Sequence, residues 1–401
     1  MDEVMITGIG THTSIGRDTS ELWESLLAGK CGTAPLTLFD VSSHTNKMAC
    51  QIRHLPAIEQ QSLLDGGGRT IGIFMPAIEE ALRSAGLSIA DLSRYRVGLC
   101  VGTTMGEIEP LEQALRGANP AVQGGPSRIA AHTAAKLGLQ GPLWTFTNAC
   151  SAGNFAIAKS MDELRFGRAD IMIAGGVDSL SWVAFTGFSS LRAMSPDCCR
   201  PFDVNRQGLI LGEGAGVLVL ETRAHAQKRG ASQRAQLLGY GLGCDAHHIT
   251  QPDPEAKGAV RAMQQAMSAA GVLPHEVTHV SAHGTGTMAN DRMEAKAIME
   301  VFMDKDRDEP LTVNSIKGHL GHTLGAASAI EAVMCVKTIE TSAFPPTANT
   351  THIDPVCIHE QLTINRQVQE GRVGIVMSNS YAFGGINSSI VLAAPERRTT
   401  G

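Results

Sequence analysis

The run Leu143-Trp144-Thr145-Phe146-Thr147-Asn148-Ala149-Cys150-Ser151-Ala152-Gly153-Asn154-Phe155-Ala156-Ile157-Ala158 changes its period halfway along. Leu143 to Phe146 predicts a short apolar strand, and Ala152 to Phe166 predicts a helix. The segment Phe155-Ala156-Ile157-Ala158 is too small and apolar to face water, so this helix belongs in the middle of a layered protein. The turn between strand and helix carries Cys150 at the helix N-terminus. Unpaired backbone N–H groups and the positive end of the helix dipole there favour thiolate over thiol. The same N–H groups can hydrogen-bond an oxyanion forming on an acyl carbon bound to the sulfur.

Outward from that turn, short apolar runs alternate with Ala-rich helical stretches. Strands are predicted at Val4 to Thr7, Arg96 to Val101, Asp170 to Ala174, Val217 to Leu220, Val277 to Val280, Gly374 to Met377 and Ser389 to Leu392. Runs apolar on both faces belong to sheets covered by helices on both sides. Helices are predicted at Ser20 to Leu27, Ile71 to Ala85, Ala256 to Ala270, Asp291 to Phe302 and Leu324 to Thr338. The last contains Gly325 to Ile330, as small and apolar as the segment after Cys150. Gly212 to Leu220 also echoes Phe383 to Leu392 in pattern. Both echoes predict a duplicated α/β chain, with halves at residues 1–245 and 246–401.

The 401 residues are 43% hydrophobic, 18% charged and only 4% aromatic, which excludes disordered, collagen-like and disulfide-scaffold classes. A net charge of −6 provides no global field for nucleic acid. The nine cysteines are scattered without a C-x-x-C pair, as expected of reduced thiols in the cytoplasm. The N-terminus lacks a basic signal region, and no apolar run reaches the roughly 18 residues that span a membrane.

Two further constellations carry chemistry. His283, in Ser281-Ala282-His283-Gly284-Thr285-Gly286-Thr287, follows a strand on the kind of loop where α/β sheets bind ligands. Asn290, Asp291 and Glu294 then suit the first turn of a helix. In Asn314-Ser315-Ile316-Lys317-Gly318-His319-Leu320-Gly321-His322-Thr323, His322 stands at the N-terminus of the second buried helix. The dipole there disfavours imidazolium and leaves a neutral donor for a developing enolate. Lys317 is a cation nearby, and Glu331, an acid in an apolar helix, is its expected counter-ion. A zinc site built on His319, His322 and His283 is set aside, because the spacing is wrong for one helix face and no acidic ligand accompanies it. Gly8-Ile9-Gly10 lacks the third glycine of a dinucleotide loop, and no NTP-binding motif occurs.

The cysteine at a helix start, the histidine on a G-T-G-T loop and K-x-x-x-x-H together resemble the β-ketoacyl-acyl-carrier-protein synthases. The elongating, type II-like members with a Cys-His-His triad match best. Further likeness lies in Ala174-Gly175-Gly176, Cys199-Arg200-Pro201-Phe202-Asp203, Leu211 to Gly216 and Ser378 to Asn387. The resemblance implies an α/β thiolase fold of two similar α-β-α-β-α halves, a duplicated five-layer architecture that is dimeric. It implies that Cys150 takes an acyl group from the phosphopantetheine of acyl carrier protein. His283 and His322 then hold the thioester of malonyl carrier protein while CO₂ leaves, and the carbanion attacks acyl-Cys150 to give a 3-oxoacyl chain two carbons longer. Backbone N–H groups of Cys150 and Phe383 would form the oxyanion hole, with Phe383 also the gate. Lys317 and Glu331 match the family's supporting ion pair, Thr285 and Thr287 its threonine loop, and no cofactor or metal is expected.

Departures bear on the substrate. Gln60 to Gly68 lacks the lysines that fatty-acid members present to the carrier, leaving Arg69, Arg206 and Lys159 as candidates for that contact. Tyr381-Ala382 replaces Phe-Gly before the gate, Met105 matches an acyl-pocket position, and Glu107 and Glu109 are unusual acids beside it. These favour a type II polyketide or polyene pathway over housekeeping fatty-acid synthesis. The alternatives are an acyltransferase on the same fold and the catalytic half of a heterodimer with a chain-length factor. A coenzyme A thiolase would need a second cysteine where Phe383 stands, and a starter-condensing Cys-His-Asn enzyme would lack His322.

Overall fold

Strand β1 (Val4–Thr13) is buried at every position, which requires cover on both faces. The computed structural model describes residues 2–55, 67–119, 123–303, 307 and 309–396, and it shows how that cover is built. Helix α1 (Arg69–Ser84) lies directly on β1. A Cβ at Gly10 would stand 2.0 Å from the Ala77 carbonyl oxygen, so only glycine permits this approach.

The chain continues through β2 (Val97–Gly102), α2 (Pro126–Leu137), β3 (Leu143–Phe146), α3 (Ala152–Arg165), β4 (Ile171–Asp178) and β5 (Gly214–Thr222). The same succession then recurs. It comprises β6 (Ala235–Cys244), α4 (Lys257–Ala270), β7 (Val277–Ser281), α5 (Met288–Phe302), β8 (Leu311–Asn314), α6 (Ala327–Thr341), the added edge strand β9 (Leu362–Ile364), β10 (Ile375–Ala382) and β11 (Ile386–Ala393). The strands order as β3-β2-β4-β5-β1, joined to β6-β11-β10-β7-β8-β9. Strand for strand, the second run mirrors the first. Even the close approach repeats, since a Cβ at Gly241 would stand 2.0 Å from the Ala262 oxygen of α4.

Among the described residues the two runs of strands pair antiparallel at Val4 with Leu237, Met5 with Gln236 and Ile6 with Ala235. Elsewhere α3 and α6 lie between them, touching each other and strands of both runs, while α1 and α2 cover one outer face and α4 and α5 the other. This is the expected five-layer thiolase-type α/β arrangement. The division expected at residue 245 falls at the end of β6, whereas the strand-order repeat opens its second copy with that strand. No helix among the described residues is long and apolar enough to cross a membrane.

Strands β2, β3 and β4 run parallel, as do β7, β8 and β10. Cys150, His283, Lys317 and Phe383 all follow the carboxyl ends of these strands, which places them at the face where such sheets bind ligands.

Candidate active site

Ala149 adopts a left-handed backbone (φ 49°) as the chain leaves β3, and Leu324 does the same (φ 53°) as it enters α6. A non-glycine residue held there costs on the order of 1–3 kcal/mol. The first elbow is secured from the other half of the molecule. Ser151 Oγ donates to the Ser380 carbonyl at 2.9 Å, and Ser380 Oγ donates to the Cys150 carbonyl at 3.0 Å. Cys150 is 6% exposed. Burial pushes its thiol up to about 12, against the opposing pull of the Lys317 charge. The helix terminus was expected to favour a thiolate; burial acts in the opposite direction, toward the thiol.

His283 leaves β7 with its backbone clamped by Glu294 of α5. The two carboxylate oxygens accept from His283 N–H at 2.8 Å and Gly284 N–H at 2.7 Å. Burial pushes Glu294 up to about 8. His322 Nδ1 accepts the Leu324 N–H at 3.1 Å, so its proton lies on Nε2. Both imidazoles are held well below the ordinary histidine value, first by burial and then by the charge of Lys317. Both shifts favour neutral imidazoles, and for His322 the causes are burial and the Lys317 charge rather than the helix terminus. Lys317 pairs with Glu331 in full burial, each side chain 1% exposed, and burial raises Glu331 to about 7 despite the ammonium.

A cavity of about 420 Å³ opens onto these groups and is lined by Cys150, His283, His322, Thr285, Thr287 and Phe383 among others. Thr285 and Thr287 hold their hydroxyls 3.0 Å apart. Phe383, 37% exposed, stacks on Phe188 with ring centroids 5.5 Å apart. Tyr381 also lines the cavity, its ring edge-on to His283 at 5.8 Å. His319 is not a ligand partner of His322, because its ring nitrogens face the carbonyls of Lys30 and Pro346, each at 2.8 Å. No group of three His, Cys, Asp or Glu side chains among the described residues could hold a metal ion.

Several expectations are corrected. Arg69 does not face a carrier: it is 3% exposed and paired with Glu213 at 2.6 Å. Arg206 is equally buried, bonded to Asp354 at 2.9 Å with Asp291 at 3.6 Å, and it braces the loops around His283. Lys159 pairs with Glu163 at 2.9 Å beneath the Trp144 ring. The two buried guanidinium groups find their counter-charges inside the fold, because an unpaired buried charge is costly, whereas Lys159 is only partly covered. Exposed Arg192 instead lies on the cavity wall. Of the lysine-free stretch 60–68, residues 60–66 lie outside the described residues. Met105 is not on the wall of this cavity; its side chain packs on the apolar cluster of Leu180, Phe185 and Leu324. Glu107 is a helix cap, accepting the Thr70 and Ile71 N–H groups at 3.1 and 3.0 Å.

The sequence reading missed Asp178, buried at the end of β4. Its carboxylate accepts from Thr103 Oγ1, the Thr104, Met105 and Gly325 N–H groups, and burial pushes it up to about 6. The available signal was an acid ending the apolar run Ile171 to Val177.

A cysteine at a strained strand-to-helix turn, two neutral imidazoles and a shared cavity between duplicated halves define a thiolase-fold enzyme that handles acyl groups on sulfur. Residues 1–226 match the model for the β-ketoacyl synthase N-terminal domain, and residues 234–351 match that for its C-terminal domain. The chain belongs to the β-ketoacyl synthase family. It is 37% identical to nodulation protein E of Rhizobium meliloti (strain 1021), over 96% of this chain and 97% of that protein. It is 35% identical to 3-oxoacyl-[acyl-carrier-protein] synthase 2 of Coxiella burnetii, over 97% and 98% of the two chains. Among solved structures, the ishigamide ketosynthase/chain length factor superposes with a TM-score of 0.88 at 36% identity, covering 98% of this chain and 99% of that one.

Proposed function

We propose that this enzyme catalyses the decarboxylative Claisen condensation of an acyl group on Cys150 with malonyl-acyl carrier protein, releasing CO₂ and a 3-oxoacyl-carrier two carbons longer. The observation that carries the reading is the convergence of Cys150 with two neutral imidazoles on one cavity wall. Loading is an exchange of thioesters: the Cys150 proton ends on the released pantetheine thiol as the acyl carbon moves to Sγ. His283 and His322 then donate to the malonyl thioester oxygen, stabilising the enolate as CO₂ departs. The enolate carbon attacks the acyl carbon, and Cys150 leaves as a thiolate that takes one proton from water to regain its thiol. An acyltransferase would need only the cysteine and one such donor, so the paired imidazoles favour condensation.

Acyl carrier protein is the proposed partner, and the exposed Arg192 on the cavity wall fits a phosphate or acidic surface there. The outer edge strand β3 exposes Leu143 (44%) and Trp144 (43%), an apolar edge that a second ketosynthase-type subunit, like or unlike, would cover. No resident cofactor takes part, and the setting is cytoplasmic. The replacement of Phe-Gly by Tyr381-Ala382 supports a specialised polyketide or polyene pathway. Incubation with acyl-carriers of graded length and malonyl-carrier, with the products weighed, tests both proposals. Two-carbon extension is the expected result, and its absence with every partner subunit supplied would refute condensation.

A further inference from the structure

Asp178 joins the loop after β2 to the elbow that enters α6. From the loop after β2 its carboxylate accepts Thr103 Oγ1 at 2.8 Å and the N–H groups of Thr104 at 2.7 Å and Met105 at 2.8 Å. From the second elbow it accepts the Gly325 N–H at 2.7 Å. The residue before Gly325 is Leu324, whose left-handed backbone turns its own N–H onto His322 Nδ1 at 3.1 Å. Two successive N–H groups thus point at two acceptors, the first at His322 and the second at Asp178. A leucine keeps that conformation only where its surroundings fix it.

We propose that Asp178 is a positioning residue for His322. By holding the Gly325 N–H it keeps Leu324 left-handed, and the Leu324 N–H in turn holds Nδ1 without a proton. The proton is thereby fixed on Nε2, the donor required by the condensation proposed above, on which this inference rests. Asp178 is 0% exposed and meets four donors with two oxygens. Asparagine has the same shape but turns an NH₂ group toward some of those donors, so it cannot satisfy them.

The test uses the full-length chain with Asp178→Asn. Acylation of Cys150 from acyl-carrier is expected to stay within about twofold of the unsubstituted enzyme, while malonyl-carrier decarboxylation falls by roughly tenfold or more. In ¹⁵N-histidine spectra, with His322 assigned by His322→Gln, its signal should leave the Nε2–H pattern. A folded variant with unchanged tautomer and unchanged decarboxylation overturns the proposal. Equal loss of both half-reactions also overturns it, since that marks a general structural role. If Asp178→Asn does not fold, Leu324→Val carries the same test, because a β-branched side chain disfavours the left-handed backbone while leaving the carboxylate and its Thr103, Thr104 and Met105 donors in place. An unaltered ratio of the half-reactions would again overturn the idea. If the unsubstituted enzyme decarboxylates nothing, the condensation reading fails, and the tautomer measurement alone decides the role of Asp178.

Discussion

His283 and His322 meet edge to face, ring centroids 5.3 Å apart and planes at 83°. One follows β7 and the other precedes α6, so the pair depends on the packing of the second half. In the proposed condensation each supplies a neutral donor, and neither replaces the other. His322→Ala and His283→Ala should each lower malonyl-carrier decarboxylation by about 10²–10³, the loss typical of one oxyanion donor. Mass spectrometry should still find acyl groups on Cys150 in the His322 variant. Decarboxylation at the unsubstituted rate in either variant would separate the imidazoles from the enolate.

The thiol of Cys150 gives a pH prediction of definite sign. With burial raising it to about 12, the thiolate fraction grows tenfold per pH unit across the neutral and mildly alkaline range. Iodoacetamide inactivation should therefore keep climbing from pH 7 to 9.5 without levelling. A plateau near pH 7–8 would show that the helix terminus outweighs desolvation.

Lys317 and Glu331 form a buried pair whose members cannot be removed singly without penalty. Lys317→Met should destabilise the fold by about 3–5 kcal/mol, because it leaves the Glu331 carboxyl buried without its partner, whereas Lys317→Met with Glu331→Leu should recover most of that stability. Denaturant titration of the three proteins measures this. Activity should remain low in the double variant, since the cation facing the imidazoles is gone.

Much of this was legible before any coordinates. The cysteine turn, both histidine loops and the two small-residue helices announce themselves by abrupt changes of period. The echo of Gly212 to Leu220 in Phe383 to Leu392 corresponds to β5 and β11, which hold equivalent places in the sheet. Charges were read less well. Arg69 and Arg206 look like surface residues in sequence, but their partners Glu213, Asp291 and Asp354 are 85 or more positions away, which spacing cannot reveal. Glu294 was placed as a first-turn acid, and only the structure shows it clamping His283. The partners of Asp178 were hidden for the same reason, since its donors come from loops in both halves. β8, four residues long, is too short to display a period.

With Arg69 and Arg206 buried, the proposed carrier contact falls to Arg192. Arg192→Glu should raise KM for the acyl-carrier by roughly 3- to 20-fold with little change in kcat, an effect that shrinks at high salt. Arg69→Glu and Arg206→Glu should instead lower thermal stability, because each buries a like charge against its former partner. An unaltered KM in Arg192→Glu would move the docking surface elsewhere.

Intact-protein mass spectrometry with acyl-carrier, followed by malonyl-carrier, tests the central claim most directly. The account predicts one acyl adduct on Cys150, absent in Cys150→Ala, that disappears when malonyl-carrier is added and returns as a two-carbon-longer 3-oxoacyl-carrier with CO₂. An adduct that ignores malonyl-carrier yet passes to other thiols, or chain extension that survives Cys150→Ala, would contradict it.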